Sequence, residues 1–361
     1  MNGTRAERIA SACKNVDATV IYNGSSPFLD SVFWYVTEQT SGIFEGSMAI
    51  ISKDGSLDVI TGQLEEAAAK KGLGNVHIYK TKRGHGRMVS DVLKGCRRIG
   101  ICGRSVTYGF SEYLRKKTDA KIIDVSGKVS EVTAIKDEKE IADIRKACTI
   151  SSDIASRIPE MLHDGITEKE MAWNIESEMR MKGGSGNAFD TISAFGENSA
   201  EPHYRPGDRE LKRGDTALFD FGSKYGMYCS DLTRTVFFGE PEDILRRAYD
   251  IVLKAKNAGM EKMFDGSPAK DADIAARAVI DESEFRGRFI HSFGHGIGMD
   301  VHQGPSLYSR SEDVLKEGMI VSAEPVIYIP GLGGIRIEDT VLITKDGNEA
   351  LTEFDESYTV I

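Results

Sequence analysis

The sequence predicts an α+β chain in two parts: a smaller α/β domain over residues 1–134 and a larger, strand-rich domain over residues 135–361. Three observations predict it. The length of 361 residues suits one large or two ordinary domains. The first third alternates short β-branched runs with helical stretches. A charged segment, AIKDEKEIADIRKA, then opens a long helix near Asp137, and strands dominate from about Gly186.

In the first part the strand candidates are ATVIYNG, the hairpin SMAIISKDGSLDVITG around Asp54-Gly55, NVHIYK, RIGICG and KIIDVS. No chemistry stands out among them. GHG at Gly84–Gly86 reads as a lone glycine-rich loop, too little by itself for a phosphate cradle. In the second part a helix opens at Thr167, where Thr-Glu-Lys-Glu forms a capping box, and it ends at Gly183-Gly184. Further helices fall near Asp243–Phe264 and Ala269–Asp281.

Composition narrows the class. Forty percent hydrophobic content without bias indicates a well-cored globular protein. A net charge of −10 argues against nucleic-acid binding, where a basic surface is expected. No apolar run reaches transmembrane length. The N-terminal MNGTRAERIASACKN lacks a signal-peptide core, so a cytoplasmic location without membrane association is expected. Five scattered cysteines without a CxxC read as reduced structural thiols. Cys229 shares the parity of Asp231 but reads as packing.

The chemistry lies in two acidic hairpins. TALFDF (216–221) turns at GSKYGM and returns as YCSDLTRTVFF. With Tyr225-Gly226 as the central turn pair, Asp220 faces Asp231, with Cβ atoms roughly 5 Å apart. MIVSAEPVIYI turns at PGLGG and returns as IRIEDTVLIT, which sets Glu324 opposite Glu338 about Gly331. Two opposed carboxylate pairs repel unless a cation or protons separate them. Thr233 and Thr235 share the parity of Asp231 and read as donors to the acids or as ordinary strand residues.

Four of the seven histidines, His203, His291, His295 and His302, lie in or before this region. In HSFGHGIGMDVHQGP, glycines at 294, 296 and 298 let the backbone around His295 approach something closely. His291 reads equally as a support behind the ligands or as core. Carboxylate oxygens with one imidazole suit Mn²⁺, Co²⁺, Fe²⁺ or Zn²⁺. Asp220, Asp231, His295, Glu324 and Glu338 are too many for one tetrahedral zinc and fit two bridged metals.

The strings ENSAEPH, FDFG, YCSDLTRT, HSFGHGIGMDVH, SAEPVIYIP and GGIRIED carry a resemblance. From about Asp137 to Tyr358 the chain resembles the "pita-bread" metallopeptidases: Xaa-Pro dipeptidase (prolidase), aminopeptidase P and methionine aminopeptidase. The ligand spacings of 11, 64, 29 and 14 residues are similar to prolidase-like members. The preceding α/β domain resembles that of prolidase, aminopeptidase P and creatinase.

The resemblance implies two divalent ions per chain, Mn²⁺ or Co²⁺ first and Zn²⁺ or Fe²⁺ as alternatives. It implies that Asp220 holds one metal, His295 and Glu324 the other, and that Asp231 and Glu338 bridge. Glu324 would also be the general base. His203 and His302 would contact substrate and assist catalysis, and Arg336 would be a site arginine that binds substrate. The implied reaction is hydrolysis of the Xaa-Pro bond at the N-terminus of dipeptides or short peptides, by a homodimer. The alternatives are an aminopeptidase of other specificity, a creatinase-like amidinohydrolase, or a non-catalytic binding relative.

Two positions depart from the prolidase pattern. Gln303 stands where an acid is usual after the histidine. Ser306 stands where some prolidases have an arginine that grips the dipeptide carboxylate, so a charge-assisted bond is missing and longer peptides are admitted.

Overall fold

A computed structural model describes residues 3–353 and 359–361. It divides into two compact units, Met1–Thr133 and Ala134–Ile361.

In the first unit, strands β1 (Ala18–Asn23), β2 (Ser47–Ser52), β3 (Leu57–Gly62), β4 (Asn75–Tyr79), β5 (Arg98–Ile101) and β6 (Lys121–Asp124) form one sheet in the order β4-β3-β2-β1-β5-β6. β2 runs antiparallel to β1 and β3, and the other pairs are parallel. The β2–β3 turn carries Gly55 at φ +87°, a conformation open to glycine. The apolar residues Val20, Ile50, Ile60 and Ile99 are buried together. The GHG tripeptide is not a loop. Gly84–Gly86 lies in the helix Lys82–Val92, whose start is capped by Thr81 Oγ1 accepting from Gly84 N–H at 3.0 Å. Packing of Val89 and Leu93 into the core, together with the cap, offsets the low helix propensity of the two glycines. His85 packs against Tyr79 and Tyr113 instead of facing a ligand.

The second unit opens with the helix Glu138–Met161, where Asp137 and Glu140 form a reciprocal capping box. The helix Glu168–Met181 follows, capped in the same way by Thr167 and Glu170, and the chain leaves it through Gly183 at φ +94°. β7 (Gly186–Asn187), β10 (Ser223–Tyr225) and β11 (Tyr228–Cys229) form one small sheet, and β8 (Ile192–Phe195), β9 (Thr216–Phe221) and β12 (Leu232–Phe237) another. β13 (Gly294–Gly296), β14 (Gln303–Leu307), β15 (Ile320–Ala323), β18 (Asp339–Ile343) and β19 (Asn348–Ala350) form a five-stranded sheet. β16 (Val326–Ile329) pairs with β17 (Gly333–Arg336). The helices Asp243–Met260 and Ala269–Asp281 pack on these strands through Leu245, Val252, Ala272, Ala276, Val321 and Ile335. No helix of the described residues is long and apolar enough to cross a membrane.

The two hairpins differ from expectation in instructive ways. In the first, Asp220 pairs with Thr233, not with Asp231. Tyr225 pairs with Tyr228, so the turn is Gly226-Met227. Gly226, at φ +58°, occupies the first central position, which in tight hairpin turns demands a positive φ. That choice moves the register by two residues. In the second hairpin Val326 pairs with Arg336 and Ala323 with Asp339, the register that puts Glu324 opposite Glu338. The long strands are not continuous, however. They break at Glu324-Pro325 and at Ile337-Glu338, so the base of the hairpin joins the five-stranded sheet while its tip stands as a two-stranded ribbon. Pro325 has no N–H to donate to a ladder. Both glutamates therefore fall at the break.

Candidate metal centre

At this break the two hairpins meet. Glu338 N–H donates to Thr233 O at 3.1 Å, and Thr233 Oγ1 returns a 2.6 Å bond to Glu338 Oε2. Thr235 and Arg336 exchange bonds in the same way, Oγ1 to carbonyl at 3.0 Å and N–H to Oγ1 at 3.1 Å. The threonines thus join one hairpin to the other and aim one of the acids.

One ligand atom each from Asp231, His295 and Glu338 lies within 4.8 Å of the others. His295 Nε2 is 3.5 Å from Asp231 Oδ2 and 3.4 Å from Glu324 Oε1. Ser322 ties this group together: its hydroxyl donates to Glu324 Oε1 at 3.3 Å and accepts from His295 N–H at 3.1 Å. Gly294 and Gly296 make the approach possible, since a Cβ on either would meet backbone at 2.1 Å. Asp220 joins through Arg336, whose Nη2 donates to Oδ2 at 2.5 Å. Its other oxygen, Oδ1, is buried without a hydrogen-bond partner among the described residues. Arg336 also donates to the Tyr328 hydroxyl at 2.5 Å and to Thr233 Oγ1 at 3.1 Å.

The electrostatics explain what such a site needs. Burial raises Asp220 above the usual carboxylate range, opposed by Arg336. Burial, then the charges of Asp220 and Glu324, push Asp231 well up, and burial with the Asp231 charge does the same to Glu338. Glu324 is pushed up to about 8, chiefly by burial. Burial lowers His295 to about 4, which keeps its imidazole neutral and able to ligate. Burial works against the Arg336 guanidinium, but Tyr328, Asp220, Glu338 and Glu324 outweigh it and hold the proton firmly. Two buried acids, Asp231 and Glu338, and two largely withdrawn ones, Asp220 and Glu324, share one arginine, which leaves negative charge uncompensated when they ionise. The donor set, the orphaned Asp220 oxygen and the raised acids all fit divalent cations.

The remaining histidines differ in placement. The ring of His302 packs on that of His295, with centroids 4.4 Å apart. His203 is exposed; burial lowers both His302 and His291, and His203 adds a smaller effect in the same direction. His291 is held by Ser292 O at 2.8 Å, packs near Tyr328, and leaves Nε2 buried without a partner among the described residues. Gln303 Nε2 is likewise buried and unpartnered, and Ser306 N–H is taken by Asp313 at 2.9 Å. Cys229 is fully buried, its thiol donating to Met299 O.

Sequence reasoning missed a second layer. Arg234 donates to Glu338 O at 2.5 Å and to Asp339 Oδ1 at 2.7 Å, and Lys256 donates to Asp339 Oδ2. Thr340 clamps Asp231 by both backbone atoms, at 3.0 and 2.7 Å. Tyr328 was also missed. Parity was the available signal for Tyr328, since it lies four residues after Glu324 and diagonal to Arg336. Lys256 comes from a distant helix and gave no local signal.

Paired hairpins that gather buried acids around a neutral imidazole define the chain as a carboxylate-type metalloprotein. Residues 142–345 match metallopeptidase family M24, and residues 9–135 match the creatinase/prolidase N-terminal domain. The Xaa-Pro dipeptidase of Pyrococcus horikoshii is 42% identical over 262 residues, 72% of this chain and 74% of that protein. Among solved structures, the Xaa-Pro dipeptidase from Bacillus anthracis superposes with a TM-score of 0.92 at 32% identity, covering 99% of each chain. The X-Pro aminopeptidase from Thermotoga maritima gives 0.90 at 32% identity, covering 99% of this chain and 100% of that one. The chain belongs to metallopeptidase family M24, with a creatinase-type N-terminal domain before the pita-bread domain. It is a metallopeptidase that uses divalent metal.

Proposed function

We propose that the enzyme hydrolyses the bond between an N-terminal residue and a following proline in dipeptides or short peptides. The gathering of Asp231, His295 and Glu338 beside Glu324 carries this reading, because it supplies a hydrolytic centre in a chain about 40% identical to Xaa-Pro dipeptidases. In it, Asp220 would hold one of two divalent ions, Mn²⁺ or Co²⁺, His295 and Glu324 would hold the other, and Asp231 and Glu338 would be shared between them. Cations so held would supply electrophilic polarisation and lower the pKa of water.

The protein's own groups do the rest. Glu324 accepts the proton of the attacking water and passes it to the leaving proline nitrogen. Ser322 fixes the carboxylate for that transfer. His203 and His302 orient the peptide and donate to its carbonyl oxygen as negative charge builds there. Arg336, held by Tyr328 and Asp220, keeps a fixed positive charge beside the substrate. The enzyme acts in the cytoplasm as a homodimer.

Without an arginine at Ser306, tripeptides such as Ala-Pro-Ala are accepted beside dipeptides. Chelator-stripped enzyme reloaded with Mn²⁺ or Co²⁺ should cleave Ala-Pro and Ala-Pro-Ala, and Ala-Ala-Ala far more slowly. Equal cleavage of Ala-Ala-Ala would sink the proline specificity.

A further inference from the structure

We propose that Glu168 is a positioning residue for His203. The inference rests on the reading of His203 as a substrate-contacting group.

His203 sits on a connector, residues 201–215, that has no helix and no strand. Beyond an isolated antiparallel bridge between Glu210 and Thr167 at its far end, the segment has no ladder to fix its backbone. It is organised instead around one fully buried carboxylate. Glu168 Oε1 accepts from Phe195 N–H at 2.9 Å and from Asn198 Nδ2 at 2.9 Å. Oε2 accepts from the Tyr204 hydroxyl at 2.7 Å and from Gly207 N–H at 3.0 Å. Four donors saturate the lone pairs of a carboxylate. They come from before His203, from the residue beside it, and from after it.

The rest of the local bonding points the same way. The Tyr204 hydroxyl also accepts from Asn198 Nδ2 at 2.8 Å, closing a ring of three side chains. Burial, reinforced by Glu168, pushes that hydroxyl up to about 12, so it remains a donor at neutral pH. The first turn of the helix Glu168–Met181 binds the same segment by its backbone: Glu168 N–H to Arg209 O and Lys169 N–H to Gly207 O, both at 3.1 Å. Glu168 is not needed as a helix cap, because Thr167 and Glu170 already cap that end. Its carboxylate is turned to the connector instead. None of its bonds reaches a proposed metal ligand, so its effect on the reaction runs through the placement of His203.

Glu168→Gln puts an NH₂ against donors and removes at least one acceptor. Amide hydrogen exchange should quicken across residues 196–210 and stay unchanged elsewhere, with metal content unchanged. kcat/KM should fall on the order of 10- to 100-fold, as for a misplaced contact group. In a His203→Ala background the same change should cost less than about twofold more, because the two residues act as one unit. Tyr204→Phe removes one donor of the four and should produce a smaller version of each effect, which keeps the test open if Glu168→Gln does not fold. Unchanged exchange in the connector, or a full multiplicative loss on top of His203→Ala, would overturn the proposal. A fully active His203→Ala enzyme would sink the role of His203 itself, while the exchange data would still decide whether Glu168 holds the segment.

Discussion

Arg336 donates a 2.5 Å bond to Oδ2 of Asp220 and so neutralises the acid whose Oδ1 has no protein partner among the described residues. Both side chains are largely withdrawn from solvent, 4% and 13% exposed. Removing one member of a buried pair strands the other charge, at a cost of about 3–5 kcal/mol. Arg336→Met should therefore lower thermal stability measurably, and should lower kcat by at least about tenfold. Arg336→Lys keeps the charge but loses the fork that also reaches Tyr328 and Thr233, so it should recover stability more than activity. Thermal unfolding and steady-state kinetics on both variants check this. A fully active Arg336→Met would remove Arg336 from the site.

Thr233 offers a subtler perturbation. Its hydroxyl aims Glu338 at 2.6 Å. Partners behind metal ligands typically contribute about 10- to 100-fold in affinity. Thr233→Val should weaken metal binding by that order while leaving the fold intact, as read by titration with Mn²⁺. Unaltered affinity would mean that the sheet contacts alone orient Glu338.

Metal removal should change how stability depends on pH. Glu324 is raised from 4.5 to about 8, with Asp231 and Glu338 raised as well. A raised acid binds its proton more tightly when folded. Its contribution is complete below the unfolded value and is lost as pH climbs through the folded one. His291 and His295, lowered to about 4 from 6.5, act in the opposite sense between those values. The window free of the histidines is pH 6.5–8. There the chelator-stripped protein should lose stability as pH rises, by up to about 1.4 kcal/mol per pH unit for each acid still titrating. Saturating Mn²⁺ should flatten the dependence. Denaturant melts at pH 6.5 and 8, with chelator and with metal, decide it. A stripped protein more stable at pH 8 would contradict the raised acids.

His203→Ala should lower activity with metal content unchanged, since His203 is exposed and lies outside the group formed by Asp231, His295 and Glu338. Loss of metal together with activity would make it a ligand and overturn the assigned roles.

Much of this architecture was legible, for local reasons. Capping boxes at Asp137 and Thr167 have fixed spacings, and both helices start where those spacings put them. The Glu324–Glu338 register was readable because the hairpin is long and centred on one glycine-rich turn. The Asp220 register was not, because GSKYGM offers two glycines and several turn pairs, and only the backbone decides that Gly226 comes first. The strand break at Pro325 has a local signal, the missing N–H, whereas the break at Glu338 follows from the meeting of two sheets, which no local pattern records. The same holds for Lys256 on Asp339 and for Glu168 under the His203 connector: each pairing spans a stretch of chain whose folding brings the partners together. Buried charges have the same letters as exposed ones, and only the tertiary structure tells them apart.

We propose that Asp220, Asp231, His295, Glu324 and Glu338 hold two divalent ions. Elemental analysis of chelator-stripped enzyme after equilibration with Mn²⁺, beside Glu338→Ala, tests it most directly. Two Mn²⁺ per wild-type chain are expected, and a loss of both metal and peptidase activity in the variant, with the fold preserved. Two ions retained by a fully active Glu338→Ala would contradict it.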